Sequence, residues 1–123
     1  MTRRPALAVL LALLGSACGL TGPLEVPSPE PTGPYVITAI DYHFHDAHPS
    51  RPVSLSRAVA WNSQARNVHN VTIEGTDFSM DLPPGERIEI DPISSLLPEP
   101  GRYRFFCAYH VDRGMRGVLV LVP

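Results

Sequence analysis

The sequence predicts an all-β chain folded as an antiparallel β-sandwich. Three observations carry that expectation. From Tyr35 onward, short segments of alternating or β-branched and aromatic character recur. Breakers separate them at Pro49 and Pro52, at Pro83-Pro84-Gly85, and from Pro98 to Gly101. No long stretch repeats its apolar residues at helical spacing, although Pro92 to Leu97 is suited to one short turn.

The chain divides into three parts. Residues 1–17 read as an export signal: Arg3 and Arg4 supply the positive start, Ala6 to Leu14 the apolar core, and Gly15-Ser16-Ala17 a small-residue cleavage region. That apolar run is too short to span a membrane as a folded element. Leu14-Gly15-Ser16-Ala17-Cys18 resembles a lipobox, with Gly15 where Leu is usual, so Cys18 is the expected lipid acceptor. The alternative is ordinary cleavage, which releases a soluble protein with a free thiol at its mature start. Residues 18–34 are then an anchor and a linker. Five prolines between residues 19 and 34 favour an extended polyproline-like tether, on the order of 50 Å long at about 3 Å per residue. Residues 35–123 form the folded domain.

Within that domain each strand has its own signal. Over Tyr35 to His45 the alternation assigns Val36, Thr38, Ile40, Tyr42 and Phe44 to the core side; Ile37, Ala39, Asp41, His43 and His45 take the other face. Further strands are expected over Val53 to Trp61, Val68 to Glu74, Arg87 to Ile90, Arg102 to Cys107 and Gly117 to Val122. In the strand leading to Cys107, Tyr103, Phe105 and Cys107 point inward, while Arg102, Arg104 and Phe106 point outward.

Charge narrows the function. The chain has ten basic residues, all arginine, against 12 acids; losing Arg3 and Arg4 with the leader takes the formal charge from −2 to −4. A mildly acidic domain without a basic stripe gives a nucleic-acid role no electrostatic support.

The chemistry concentrates near the end. Cys107, His110 and Met115 are spaced Cys-x2-His-x4-Met, and His69 lies 38 residues before Cys107. A thiolate, two imidazoles and a weakly held thioether are the donors of a mononuclear blue copper site. Soft sulfur stabilises Cu(I) and imidazole suits both oxidation states, as an electron carrier requires. Three of these donors sit on one loop between two strands, where they can converge on a point. A disulfide between Cys18 and Cys107 is the competing use of the two cysteines, but it leaves the His and Met spacing without purpose. His43, His45 and His48 form a second cluster, read either as a surface metal site or as solvent-exposed polar positions. Asn70-Val71-Thr72 matches a glycosylation sequon by coincidence.

Six short motifs occur in order: Val59-Ala60-Trp61-Asn62, His69-Asn70-Val71-Thr72, Pro84-Gly85-Glu86, Pro100-Gly101-Arg102-Tyr103, Phe106-Cys107-Ala108-Tyr109-His110 and Gly114-Met115-Arg116-Gly117-Val118. On these, the region from about Tyr35 to Pro123 resembles a cupredoxin of the plastocyanin type. The resemblance implies a Greek-key sandwich of about six to eight strands and one type 1 copper bound by His69, Cys107, His110 and Met115. It also implies that Asn70 braces the two ligand loops and that the exposed edge of His110 is the electron port. Arg57 departs from the pattern, replacing a glycine, and Arg113 and Arg116 add positive charge near the ligand loop. A single loop cysteine argues against a binuclear copper centre.

The expected function is non-catalytic electron transfer outside the cytoplasmic membrane, by a lipid-anchored or periplasmic monomer with a redox protein as donor and another as acceptor. The alternative is a copper storage or delivery protein, which the two methionines after the leader, Met80 and Met115, support poorly. A copper oxidase or nitrite reductase needs further histidine-rich centres, and a copper-free adhesion domain leaves the ligand spacing unexplained.

Overall fold

The computed structural model describes residues 31–123 together with Gly19 and Gly22. The expected leader, Cys18 and most of the proline-rich linker lie outside the described residues. Among the described residues no helix is long and apolar enough to cross a membrane.

Among the described residues nine strands form two facing sheets. They are β1 (Tyr35–Ile40), β2 (His43–His45), β3 (Val53–Ser54), β4 (Val59–Ser63), β5 (His69–Ile73), β6 (Ser79–Leu82), β7 (Arg87–Ile90), β8 (Gly101–Phe106) and β9 (Arg116–Val122). One sheet has the order β2-β1-β4-β7, and the other β3-β9-β8-β5-β6. The sandwich stands as the sequence predicts it, with nine strands where about six to eight were expected and with further modifications. Both sheets are mixed, because β1 pairs with β4 and β3 with β9 in parallel. The cause is the chain path: β3 leaves for the opposite sheet before β4 returns beside β1, and parallel neighbours need such a crossover. In addition, the expected strand from Val53 to Trp61 is two, β3 and β4, split between the sheets.

The first expected strand is also corrected. The chain reverses at Asp41-Tyr42, and β2 folds back on β1 with Ile40 opposite His43 and Ala39 opposite Phe44. Asp41 takes φ +50, a left-handed value that Asp tolerates better than most residues. Tyr35, Ile37 and Ala39 are the buried residues of β1, not Val36, Thr38 and Ile40. Apolar residues occupy both faces of this strand, so alternation alone does not choose between them. Phe44 is buried as expected, with His43 and His45 exposed on either side.

Phe105 is the centre of the core. Its ring meets those of Phe44 and Trp61 edge-on, at centroid distances of 5.0 and 5.6 Å, and all three are buried. Edge-to-face pairs of this kind add about 0.5–1.5 kcal/mol each beyond area burial. Leu82, Ile88, Ile93, Leu97, Leu119 and Leu121 fill the space around them. A 3₁₀ turn at Ile93–Ser95 occupies the stretch marked for a short turn.

Arg57 has a structural use. Its Nε donates to the Gly33 carbonyl at 2.7 Å, and its guanidinium lies 5.8 Å from the Tyr35 ring centroid. The Tyr35 hydroxyl in turn donates to the Asp46 carbonyl, tying the start of β1 to the end of the β1–β2 hairpin.

Candidate metal centre

Three of the four expected donors meet at one end of the sandwich. His69 opens β5 and Cys107 directly follows β8, and these strands are antiparallel neighbours with Thr72 opposite Phe106. Cys107 Sγ lies 3.8 Å from His69 Nδ1 and 3.4 Å from His110 Nδ1, and the two Nδ1 atoms are 3.2 Å apart. His69, Cys107 and His110 are the one group of three or more His, Cys, Asp or Glu residues found to converge this way among the described residues.

The loop that carries Cys107 and His110 is folded tightly on itself. The His110 N–H donates to the Cys107 carbonyl at 3.1 Å and the Cys107 N–H to the Met115 carbonyl at 3.0 Å. Residues Val111–Arg113 form a 3₁₀ turn closed by Gly114, whose φ of +77 suits glycine. Met115 is fully buried directly before β9, and its N–H donates to the His110 carbonyl at 3.3 Å. Of the faces expected for β8, Phe105 and Cys107 are buried and Arg102 and Arg104 exposed, while Tyr103 and Phe106 are both half-buried.

Asn70 bonds to the segment that carries Cys107 through both its main chain and its side chain. Its backbone N–H donates to Cys107 Sγ at 3.3 Å, and its side-chain Oδ1 accepts from the Ala108 N–H at 3.4 Å. Thr72 Oγ1 donates to the same Oδ1, and Asn70 Nδ2 donates to Ser79 Oγ at 3.1 Å. With the side chain buried and so engaged, the sequon is not an accessible glycosylation site.

Sequence reasoning missed the cover on His110. Tyr42, placed on a core-facing strand by alternation, instead sits in the β1–β2 turn. Its ring packs edge-on against His110 at 4.8 Å, and the Arg113 guanidinium lies 4.3 Å from the Tyr42 centroid. The one signal in the sequence was Asp41, a residue type that favours turns, set within an alternation that runs on unbroken. On the other side of the loop, Tyr109 donates its hydroxyl to Asp81 Oδ1 at 2.5 Å, which holds the phenol above its ordinary pKa. His43 and His45 lie outside the cluster, on the exposed face of β2.

Protonation favours the same reading. Burial, and secondarily repulsion from His110, push the His69 pKa below its ordinary 6.5, while the backbone and charge of Asp41 oppose the shift. A neutral imidazole is the form that ligates metal.

The donor set fits one metal ion. Two bonds of about 2.0–2.3 Å meeting near 120° put their donor atoms roughly 3.5–3.8 Å apart, close to the spacing of the three atoms here. Two ring nitrogens and a sulfur at these distances turn lone pairs on one another unless a proton or a cation lies among them. Mixed thiolate and imidazole donors select copper over the hard cations that prefer oxygen.

No family model matches the sequence, and no curated protein matches it. Solved structures do match its fold. A copper-containing nitrite reductase from Thermus scotoductus SA-01 superposes with a TM-score of 0.58 at 16% identity, over 73% of this chain and 22% of that one. The chain therefore spans about a fifth of that enzyme. A reduced amicyanin variant gives 0.58 at 19% identity, over 73% of this chain and 83% of that one. A purple cupredoxin from Nitrosopumilus maritimus gives 0.55 at 18% identity, over 72% and 99%. The fold shared by these structures and this chain is the cupredoxin sandwich.

Proposed function

We propose that this cupredoxin-fold protein is a mononuclear type 1 copper carrier that passes single electrons between redox proteins outside the cytoplasmic membrane. The observation that carries the proposal is the convergence of Cys107 Sγ with the Nδ1 atoms of His69 and His110 within 3.8 Å. Bound copper supplies reversible exchange between Cu(I) and Cu(II). His69, Cys107 and His110 hold it, and the Met115 thioether serves as the weak fourth donor.

The chain's own residues supply the rest. Strand pairing and the loop's internal hydrogen bonds fix the donors, so they rearrange little between oxidation states. The Asn70 N–H withdraws electron density from the Cys107 sulfur and so raises the reduction potential. Burial of His69, Cys107 and Met115 keeps water and substrates from the metal, while half-buried His110 gives electrons a short way out. That asymmetry suits a carrier better than a catalyst or a delivery protein, both of which need an accessible metal. Export and attachment through Cys18 complete the proposal, supported by the leader-like residues 1–17. Intact mass of the protein from its native source tests this part: an unmodified Cys18 removes the anchor.

The decisive experiment loads the full chain with Cu(II) and records its visible spectrum and voltammogram. The expected result is an intense sulfur-to-copper charge-transfer band, absent in Cys107→Ser, with a reversible one-electron wave. A colourless protein that yields copper readily to chelators refutes the carrier and favours storage or delivery.

A further inference from the structure

We infer that His43 and His45 form a second, surface metal site for a divalent first-row cation that prefers imidazole. The three-residue strand β2 dictates the arrangement. Phe44 is buried between them, so the two histidines stand on the opposite, solvent-facing side of the same strand. Pairing with β1, His43 opposite Ile40 and His45 opposite Thr38, fixes the backbone from which both side chains project. Their ring centroids are 5.5 Å apart, close enough for one nitrogen of each to reach a common ion.

A third imidazole borders the same cleft. His43, His45, His48, Asp46 and Arg116 line a depression of about 480 Å³. His48 Nδ1 lies 2.6 Å from Ser50 Oγ. The Ser50 backbone N–H also donates to His48 Nδ1, at 3.3 Å, so Nδ1 accepts, the ring proton of the neutral imidazole sits on Nε2, and the donors of the site are His43 and His45 alone. Asp46 pairs with Arg51 at 3.5 Å and so adds little net charge, and Arg116 is cationic. The site therefore depends on neutral nitrogen donors, not on attraction of charge. Such a set ranks Cu(II) above Ni(II) and disfavours Mg(II) and Ca(II). Exposure makes it an exchangeable site, unlike the buried cluster at His69. A dication held there sits on the hairpin whose turn residue Tyr42 covers His110.

The test titrates Ni(II) into the full chain loaded with one equivalent of diamagnetic Cu(I) and freed of excess copper, followed by equilibrium dialysis and by NMR of the histidine ring signals. One Ni(II) is expected to bind and to broaden the His43 and His45 signals selectively. The exposed double substitution His43→Gln/His45→Gln should weaken that binding about tenfold or more. Binding unchanged within about twofold in the double variant overturns the inference, as does the absence of His43 and His45 broadening in the unaltered protein. The comparison between variants does not depend on whether copper occupies the His69 cluster, so the two readings fail separately.

Discussion

Gly117 is the position where one added carbon should do the most damage. It lies opposite Phe105 in the β8–β9 pairing, and the Phe105 ring covers it. A Cβ at residue 117 would stand 2.2 Å from Phe105 Cζ and 2.8 Å from both adjacent ring carbons. Carbon atoms in contact normally keep about 3.5–4.0 Å, so the ring edge must retreat by more than about 1 Å. It has nowhere to go, being buried against Phe44 and Trp61. Overpacking of a well-filled core costs about 1–3 kcal/mol, and this site belongs at the upper end. For a domain of this size, whose whole stability is about 5–14 kcal/mol, Gly117→Ala should remove about 3 kcal/mol. With a urea slope near 2 kcal/mol/M, the unfolding midpoint falls by about 1.5 M. Gly114→Ala is the control: its φ of +77 imposes backbone strain of about 1–2 kcal/mol, but nothing lies within 4 Å of the new carbon. Phe105 is two residues from Cys107, so Gly117→Ala should also disturb the copper absorption band, whereas a merely unstable fold would lose colour only on unfolding. A Gly117→Ala protein within 1 kcal/mol of the original by urea titration would refute the packing argument.

Two further outcomes follow from the site. Asn70→Ala removes the side-chain acceptor for the Ala108 N–H but keeps the main-chain N–H on the sulfur. It should cost about 1–3 kcal/mol and weaken copper retention about 10- to 100-fold, with the band position little changed; equal rates of copper loss to a chelator would contradict this. In the metal-free protein His69 takes its proton at lower pH than the unfolded chain does, because its folded pKa is lowered. The unfolded state therefore binds more protons as pH falls below about 6.5, and the His69 contribution to stability is lost from there down to the folded pKa. Urea midpoints between pH 7.5 and 5 should fall more for the original than for His69→Gln; parallel profiles would deny His69 that role.

Much of the fold and most of the site were legible because the informative residues carry strong local signals. Cys107, His110 and Met115 share one loop, and residue types with so few other uses at that spacing point to a single coordination set. Strand β8 was readable because its faces differ, arginine outward and Phe105 and Cys107 inward. Strand β1 was not, since Tyr35, Ile37 and Ala39 on one side compete with Val36 and Ile40 on the other. The turn at Asp41 escaped for the same reason: alternation continues through it without a glycine or proline to mark it. Strand β6 went unread because Ser79, Met80 and Asp81 are exposed at a sheet edge and only Leu82 is buried. Tyr42 over His110 is a contact between segments 68 residues apart in the chain, and nothing in either segment alone announces it.

The pairing of β5 with β8 also makes the metal centre a clock. His69 and Cys107 meet only when Thr72 has found Phe106 and Ile73 has found Phe105. Pairings so distant in sequence are late and slow, on the order of milliseconds to seconds in all-β domains. A slip of one residue turns every side chain of the strand to the opposite face, and Cys107 with it. A mispaired molecule therefore has no converged donors. If refolding is followed in the presence of copper, colour counts only chains in correct register, and its rise times the closure of the sandwich.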